Sequence, residues 1–314
     1  MFDLEKDMKK KLWFCFLVIA LCFAAVACMS PEQENHIYGE EIPLGKTDKG
    51  YVYVKTCEEC GEETEVIYDA LLTFVDDDAK MQAMVHWERI LDETGIEMTA
   101  ALIPGKIEET TDYDCWWAYA GWDLLERVQE KGVDFVNHTY SHINLKKLTP
   151  EEIREDLQKG KDALKDRGIE SEILVYPNNA YNEEIMAIVD DYFDAAFACR
   201  NKVVTDSTVN RHALTRIDIN DKNVKKVIEF DAERIVECYG IKPVKTLKRE
   251  LNKAVRSEGW LVYMVHAYDS PGGQYFFDET SEQTIIDFCR FVQEQGRVKI
   301  VTLTEGLAAS APRE

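Results

Sequence analysis

The chain has 314 residues and a formal net charge of −22 at pH 7, with 59 acidic residues against 37 lysines and arginines. This length is enough for one sizeable core, since an α/β barrel runs to about 200–250 residues or more as a single domain. The acidic balance argues against nucleic acid, or the anionic face of a membrane, as the partner. Neutral and cationic glycans remain compatible with it.

The N-terminus predicts an export signal over residues 1–27. Three lysines at 9–11 precede an apolar stretch at 12–27 that is shorter than the roughly 20 residues of a membrane span. The small residues at 25–27 fit cleavage by an ordinary signal peptidase, which would release a secreted protein. Followed by Cys28, the same residues also resemble a bacterial lipobox. We favour lipidation of Cys28 and anchorage in the cell envelope, because the polar stretch 30–35 is typical of a tether.

Residues 28–64 are predicted to form a tether and a short N-terminal extension, with a strand at 51–55. Within this segment Cys57 and Cys60 form a lone CxxC motif, which fits a disulfide, half of a zinc knuckle or a redox pair. The sequence shows no second CxxC and no neighbouring histidine to complete a metal site. We therefore interpret this pair as having a local structural role.

From residue 65 to 314 the pattern alternates apolar, β-rich runs with amphipathic helices. This alternation predicts a distorted or incomplete (β/α) barrel with seven or eight strands. The predicted strands cover residues 66–75, 96–103, 133–137, 172–176, 195–199, 213–219, 260–266 and 298–303. The predicted helices cover residues 79–93, 116–131, 150–167, 183–193, 244–257 and 282–295.

Polar residues follow several of these strands, where a barrel carries its catalytic groups. An acidic cluster at 76–78 ends the first strand, and His138 and His142 follow the third at a spacing of four residues. Two imidazoles and a carboxylate leave coordination positions open for water and substrate, as in a catalytic rather than a structural metal site. The pattern therefore predicts metal-assisted hydrolysis.

The stretches 122–132, 137–142 and 148–153 closely resemble the central segment of the polysaccharide deacetylase family. These proteins are metal-dependent carbohydrate esterases that remove acetyl groups from chitin-like and peptidoglycan-like glycans, and a looser likeness extends over 66–305. The resemblance implies a distorted barrel, a divalent metal with zinc as the expected ion, and an acetylated glycan as the partner. It also implies that His138 and His142, which match the family's His-Ser/Thr-x-x-His motif, bind the metal.

The family's first motif, Thr-Phe-Asp-Asp-Gly, supplies a general base and then a metal ligand, and this chain has one extra residue in it. The segment 73–79 reads TFVDDDA. If Ala79 stands for the motif glycine, Asp77 is the base and Asp78 the ligand. If Asp78 stands for the glycine, both roles move back to Asp76 and Asp77. We prefer the first alignment because alanine is the milder replacement for glycine.

The family's third motif, Arg-x-Pro-Tyr, is only partly present, since residues 175–178 read VYPN. Val175 cannot hold the base aspartate as the family's arginine does. Arg216, at the end of a predicted strand, is either a substitute or a simple salt-bridge partner. The backbone N–H of Asn178 is expected to contribute to an oxyanion hole, and Pro177 and Tyr181 to line the substrate groove.

His266 ends a late strand, where the resemblance implies the general acid; the alternative is an ordinary histidine at a strand end. Tyr268 and Asp269 are further candidates for the groove. Together these residues predict a hydrolase that removes N- or O-linked acetyl groups from a cell-envelope or extracellular polysaccharide. The alternatives are a non-catalytic glycan-binding lipoprotein that retains the barrel, and an amidase that uses the same metal ligands on a non-sugar substrate.

Overall fold

The computed structural model describes residues 36–110, 118–231, 234–267 and 277–313. The predicted export signal, Cys28, Tyr268 and Asp269 lie outside the described residues, so those assignments stay predictions. The chain divides into two compact units: one includes residues up to Glu41 together with Lys55–Thr64, and the other comprises Ile42–Val54 and Glu65–Glu314. Among the described residues, none of the helices combines the length and the hydrophobicity needed to cross a lipid bilayer.

The first three strands form a small sheet in the order β1-β2-β3. They are β1 (Ile42–Thr47), β2 (Gly50–Thr56) and β3 (Glu63–Tyr68). β1 and β2 are an antiparallel hairpin closed at Thr47 and Gly50. Gly50 has a φ of 125°, and an added Cβ would meet the backbone of Tyr68. Glycine is therefore required at this close approach.

A parallel barrel forms the body of the larger unit. The remaining strands are β4 (Ala70–Asp77), β5 (Met98–Leu102), β6 (Val133–Asn137), β7 (Ile173–Val175), β8 (Ala195–Cys199), β9 (Leu214–Asp218), β10 (Asn220–Asp231), β11 (Arg234–Ile241), β12 (Trp260–His266) and β13 (Val298–Ile300). β4 to β9 pair in chain order, and β12 pairs with both β9 and β4, which closes a ring of seven strands. β13 adds to β4 as an extra strand. The predicted (β/α) barrel is confirmed.

Helices connect these strands and cover the barrel. They are α1 (Met81–Thr94), α2 (Pro104–Glu109), α3 (Trp122–Gln129), α4 (Pro150–Lys165), α5 (Glu183–Asp190), α6 (Val244–Arg256), α7 (Glu279–Gln295) and α8 (Leu303–Ser310). The start of α4 follows from its sequence, because Thr149 and Glu152 form a reciprocal capping box ahead of Pro150.

Alternation along β4 divides the core into an inner and an outer layer. Leu72 and Phe74 pack with residues of α1 and α7, whereas Leu71 and Val75 pack with residues from other strands of the ring. Successive side chains of a strand point to opposite faces, and both faces of this strand are covered. The uninterrupted apolar run of β4 follows from that double burial.

Several predicted boundaries are wrong. The single strand predicted at 66–75 is two strands, β3 and β4, separated at Asp69. The strand predicted at 298–303 stops at Ile300, because the Thr302 side chain accepts a hydrogen bond from the Glu305 N–H and caps α8. The short helix α2 and the hairpin β10–β11 were not predicted. The helix predicted from residue 116 begins at Trp122 within the described residues.

The smaller unit corrects one further prediction. The sequence places no histidine near the CxxC motif, but the structure brings His36 Nδ1 within 3.3 Å of the Cys57 sulfur and 3.4 Å of the Cys60 sulfur. The contact was missed because His36 lies 21 residues before Cys57 along the chain.

Candidate metal centre and active site

The candidate site lies at the C-terminal rim of the barrel, where parallel strands end side by side. His266, the last residue of β12, is in register with Asp77, the last residue of β4. Asn137 ends β6 in register with Leu102 of β5, and His138 follows directly. Because the ring is closed, residues distant in sequence meet at this rim.

Asp78, His138 and His142 form a three-residue cluster whose ligand atoms all lie within 4.8 Å of one another. Asp78 Oδ1 is 3.6 Å from His138 Nε2 and 3.3 Å from His142 Nε2. Asp78 is fully buried, and neither of its carboxylate oxygens has a hydrogen-bond partner of ordinary geometry among the described residues. A buried anion without such partners is costly unless a cation compensates it, so these residues fit a divalent metal.

The orientation of His138 is fixed from the side away from the cluster. Its Nδ1 lies 2.6 Å from the carbonyl oxygen of Val175. A carbonyl only accepts, so Nδ1 carries the proton and Nε2 keeps its lone pair toward Asp78. Val175 thus contributes its backbone at a position where its side chain departs from the family motif.

The loops that carry these ligands adopt backbone conformations that are rare for residues with a side chain. Positive φ angles occur at Asp78 (76°), Ala79 (50°), Thr139 (64°) and His142 (59°). Such conformations cost of order 1–3 kcal/mol each and tend to occur at functional sites. Ala79, aligned with the motif glycine, therefore has a conformation that glycine would adopt without strain.

Asp77 forms a buried, two-pronged ion pair with Arg216 of β9. Arg216 Nη1 donates to Oδ1 at 2.5 Å and Nη2 donates to Oδ2 at 3.1 Å. Arg216 is 1% exposed and Asp77 is 4% exposed. A planar guanidinium matches a carboxylate with two parallel hydrogen bonds, which fixes the orientation of the carboxylate as well as its charge.

Asp76 faces away from the cluster. Its Oδ2 accepts a hydrogen bond from Trp87 Nε1 at 3.0 Å. Burial raises the pKa of Asp76 well above its ordinary value, against the Trp87 hydrogen bond, and the charge of Asp77 adds to the increase. Of the three consecutive aspartates, the structure thus joins Asp78 to the imidazoles, Asp77 to Arg216 and Asp76 to the first helix.

His266 is near Asp78 Oδ2, whereas the two ligand histidines are near Asp78 Oδ1. Its Nε2 is 3.3 Å from Asp78 Oδ2, and its side chain is 27% exposed. An imidazole at a buried carboxylate, with partial access to solvent, can exchange a proton with a bound molecule.

Asp218, at the end of β9, was missed by the sequence interpretation. It pairs in register with Met264, two residues before His266. Burial raises the pKa of Asp218, against hydrogen bonds from Asn220 and the charges of Lys242 and His266. An acid two residues after Arg216, at the end of the same strand, was the signal that could have found it.

Of the residues predicted to line the substrate groove, Asn178 contacts the loop that carries His142, whereas Tyr181 contacts Tyr176 and Arg200. Asn178 has a φ of 55°, and its Nδ2 is 3.5 Å from the His142 carbonyl oxygen. Pro177 is buried just before it. Tyr181 stacks on Tyr176 with ring centroids 5.2 Å apart, and its hydroxyl accepts a hydrogen bond from Arg200.

The electrostatic surroundings of the cluster favour the protonation states of Asp78 and His138 that bind a cation. Burial alone would raise the pKa of Asp78, but the charges of the neighbouring histidines, led by His266, bring it below its ordinary value. Burial lowers the pKa of His138 to about 4. Metal ligation requires an ionised carboxylate and a neutral imidazole, and both forms are favoured near neutral pH.

Fold and rim together define a (β/α)-barrel protein with a candidate metal centre. Residues 68–192 match the family model described as polysaccharide deacetylase, which confirms the family resemblance predicted from the motifs. The match includes Asp77, Asp78, His138 and His142. It ends before Arg216 and His266.

Solved structures share the fold at low sequence identity. A Mycobacterium smegmatis protein assigned to the polysaccharide deacetylases is 12% identical, covers 88% of this chain and 98% of its own, and has a TM-score of 0.56. A mutant of BA3943, described as a family 4 carbohydrate esterase pseudoenzyme with restored activity, is 17% identical, covers 86% and 94%, and has a TM-score of 0.51.

A Streptococcus pyogenes deacetylase, PplD, in complex with acetate, is 21% identical and has a TM-score of 0.42. The match covers 47% of this chain and spans 62% of the length of PplD. No curated protein matches the chain.

Proposed function

We propose that this protein is a metal-dependent hydrolase that removes acetyl groups, N- or O-linked, from a polysaccharide of the cell envelope or the extracellular space. The observation that carries the proposal is the contact of Asp78 with two imidazoles at the rim, next to the buried Asp77–Arg216 pair. A metal cluster, an oriented carboxylate and a third histidine are the groups that hydrolysis of an amide or ester needs.

Asp78, His138 and His142 would hold the cation, for which zinc is expected from two nitrogen donors and one oxygen donor. When bound, the cation supplies Lewis acidity that polarises the acetyl carbonyl and acidifies a water molecule. The protein fixes the tautomer of His138 through the Val175 carbonyl. It also supplies Asp78 as a buried, ionised ligand.

Asp77 is the general base in this proposal and His266 the general acid. Water gives one proton to Asp77 as its oxygen bonds to the acetyl carbon. His266 then gives a proton to the leaving nitrogen or oxygen as the bond from that atom to the acetyl carbon breaks, so that acetate and a sugar with a free amine or hydroxyl are produced. Arg216 orients Asp77 through its two hydrogen bonds, and Asp218 lies on the neighbouring strand as a positioning residue for His266.

The remaining assignments concern the substrate. The backbone N–H of Asn178 is proposed to donate to the oxygen of the tetrahedral intermediate, which requires no particular side chain. Pro177 and Tyr181 are proposed to line the groove that binds the sugar.

The test is acetate release from a panel of N- and O-acetylated oligosaccharides by metal-stripped protein and by protein reconstituted with zinc. We expect turnover on at least one glycan with zinc, none without it, and none from Asp77→Asn protein that retains its metal. If the reconstituted protein releases no acetate from any of these glycans, the proposal fails. Hydrolysis of other amides without acetate release would favour an amidase.

A non-catalytic glycan-binding protein is the second candidate. It is favoured by Val175 at the position of the family's arginine and by Ala79 at that of its glycine. The barrel is also shared by BA3943, which is described as a pseudoenzyme. Saturable binding of acetylated oligosaccharides by zinc-loaded protein, with no acetate released after prolonged incubation, would establish this alternative.

We also propose that Cys28 carries a lipid that anchors the protein in the cell envelope. The basis is the sequence at residues 25–28 and the polar stretch that follows. Cys28→Ala protein is expected in the soluble fraction of cells that retain the unchanged protein in their membrane fraction. Equal distribution of the two proteins would instead indicate free secretion.

A further inference from the structure

The CxxC motif lies in a tight turn closed by the backbone. The Cys57 N–H donates to the Glu62 carbonyl oxygen at 2.8 Å, and the Gly61 N–H donates to the Cys57 carbonyl oxygen at 2.9 Å. Gly61 has a φ of 73°, and an added Cβ there would meet nothing within 4 Å, so glycine serves the conformation of the turn rather than its packing. Both cysteines are free thiols.

Backbone pairing brings a histidine to this turn. Tyr38 and Cys57 form an antiparallel bridge, and the Glu58 N–H donates to the Ile37 carbonyl oxygen at 2.8 Å. Two residues before Tyr38, His36 has its Nδ1 3.3 Å from the Cys57 sulfur and 3.4 Å from the Cys60 sulfur. The three ligand atoms all lie within 4.8 Å of one another.

We propose that His36, Cys57 and Cys60 form a second metal site, a zinc site with three protein ligands that are different from the ligands at the barrel rim. Tetrahedral zinc with Zn–S near 2.3 Å and Zn–N near 2.0 Å places sulfur and nitrogen ligands about 3.5 Å apart. The two measured distances are close to this value. Two thiolates and an imidazole select zinc over magnesium or calcium, which prefer oxygen ligands.

The surroundings of the three ligands also suit a metal. The Glu62 carboxylate lies 3.6 Å from His36 Nε2, the ring nitrogen that faces away from the sulfurs. A carboxylate on the second nitrogen is the usual partner of a metal-bound histidine, because it fixes the tautomer and the ring orientation.

The site takes three ligands from the described residues, and the fourth position of the tetrahedron is assigned to water. Cys57 is buried and Cys60 is exposed, so one side of the site is open to solvent. In this arrangement the ion joins the segment before β1 to the turn after β2 and closes a loop of about 20 residues. Closing a loop of that length restricts the unfolded chain and stabilises the folded one.

Cobalt titration of the full chain tests the site, because only sulfur ligands give thiolate-to-cobalt charge-transfer absorption in the near ultraviolet. The protein is stripped of metal and kept reduced, with its thiols counted before titration. We expect a band that saturates at one cobalt per chain and persists in an Asp78→Asn/His138→Gln variant, which removes ligands at the rim. The band should disappear in Cys57→Ser/Cys60→Ser and persist in the matched control Cys199→Ser.

Two single variants keep the test decisive if the double serine variant fails to fold. His36→Gln should weaken cobalt binding at least tenfold, and Glu62→Gln should weaken it about tenfold through the orientation of the imidazole. His212→Gln, at a histidine outside this turn, should leave the affinity unchanged. Zinc content should fall by one ion per chain in the double serine variant relative to the unchanged protein.

The proposal is overturned if reduced protein gives no charge-transfer band, or if the band survives loss of both cysteines. It is also overturned if His36→Gln binds cobalt as tightly as the unchanged chain, or if Cys57 and Cys60 form a disulfide in the native protein and no band follows its reduction. None of these outcomes bears on the ligands at the rim, because acetate release is measured separately.

Discussion

At the scale of single residues, the three consecutive aspartates have three different surroundings. Asp76 accepts from an indole, Asp77 from a guanidinium, and Asp78 faces imidazoles. Alternation along a strand explains the opposite directions of Asp76 and Asp77, and the left-handed backbone at Asp78 turns its carboxylate toward the ligand histidines. The same substitution at each of the three aspartates should therefore have a different effect.

The first prediction uses asparagine at each position. Asp77→Asn should lower kcat by about 10²–10⁴-fold with metal content unchanged, because a general base is lost. Asp78→Asn should lose the metal as well as activity. Asp76→Asn is the control: the new amide oxygen can still accept from Trp87, and we expect activity within about threefold. Activity and zinc content are measured on the same samples, and full activity of Asp77→Asn would reject Asp77 as the base.

The second prediction concerns Arg216. Lysine keeps the positive charge but has no planar fork, so Arg216→Lys should lower kcat by about 10–100-fold while the metal stays bound. Arg154→Lys is the matched control, because Arg154 pairs with Asp191 at the exposed surface, where such a pair contributes little. If the two variants have equal kcat, the buried ion pair does not orient the base.

At the scale of elements, the accuracy of the sequence interpretation follows burial. The strand at 260–266 was predicted residue for residue, because a strand that is buried along most of its length has a continuous apolar sequence. β3 and β4 were merged, since one polar residue, Asp69, was too weak a signal for a strand break. The hairpin β10–β11 was missed because it interrupts the β/α alternation on which the prediction relied.

The residues of the candidate site also differ in whether the sequence alone could identify them. His138 and His142 lie four residues apart and were found from spacing, whereas Asp218 and the Val175 carbonyl lie on strands that only the sheet pairing brings beside their partners. His36 was missed because a backbone bridge between Tyr38 and Cys57, in the smaller unit, brings it to the CxxC turn. Ligands joined by a motif are readable from sequence, and ligands joined by topology require the fold.

The third prediction concerns the packing of α8 on the barrel strand β12. A Cβ at Gly306 would lie 2.6 Å from Trp260 Cε2, and both residues are buried. Gly306→Ala should therefore lower the free energy of unfolding by about 1–3 kcal/mol in urea denaturation, despite the higher helix propensity of alanine.

Gly39→Ala is the control for this substitution, since its nearest contact would be 3.7 Å away. A Trp260→Phe background removes the part of the indole that clashes. The cost of Gly306→Ala should be smaller there, as expected for two coupled residues. Equal costs in both backgrounds would show that the indole is not the cause.

At the scale of the whole molecule, the excess of acidic residues makes stability depend on pH where an acid is partly buried near another acid. Burial raises the pKa of Glu305 to about 7; the charge of Lys299 opposes this increase, and Glu97 adds to it. Lys299 Nζ is 4.0 Å from Glu305 Oε1, too far for a strong ion pair. At neutral pH this glutamate is therefore divided between its neutral and its charged form.

The fourth prediction follows from the sign of that shift. The pKa of Glu305 in the folded chain lies above its ordinary value of 4.5, so the neutral form stabilises the fold fully below pH 4.5. As the pH rises, the unfolded chain loses this proton near pH 4.5 and the folded chain loses it near pH 7. The stabilisation by the neutral form is lost over that interval. Because the side chain is 19% exposed, solvent reduces the effect to about 1 kcal/mol.

Glu305→Gln keeps the neutral form at every pH, so its stability relative to the unchanged chain should increase by about 1 kcal/mol between pH 5 and pH 8. Urea denaturation at a series of pH values measures this difference, and comparison with the unchanged chain cancels the titration of all other groups. Glu294→Gln, at an exposed position near the end of α7, should give no such trend. If the Glu305→Gln and unchanged proteins have parallel profiles, Glu305 ionises normally in the fold, and the acidic surface rather than this side chain governs stability at high pH.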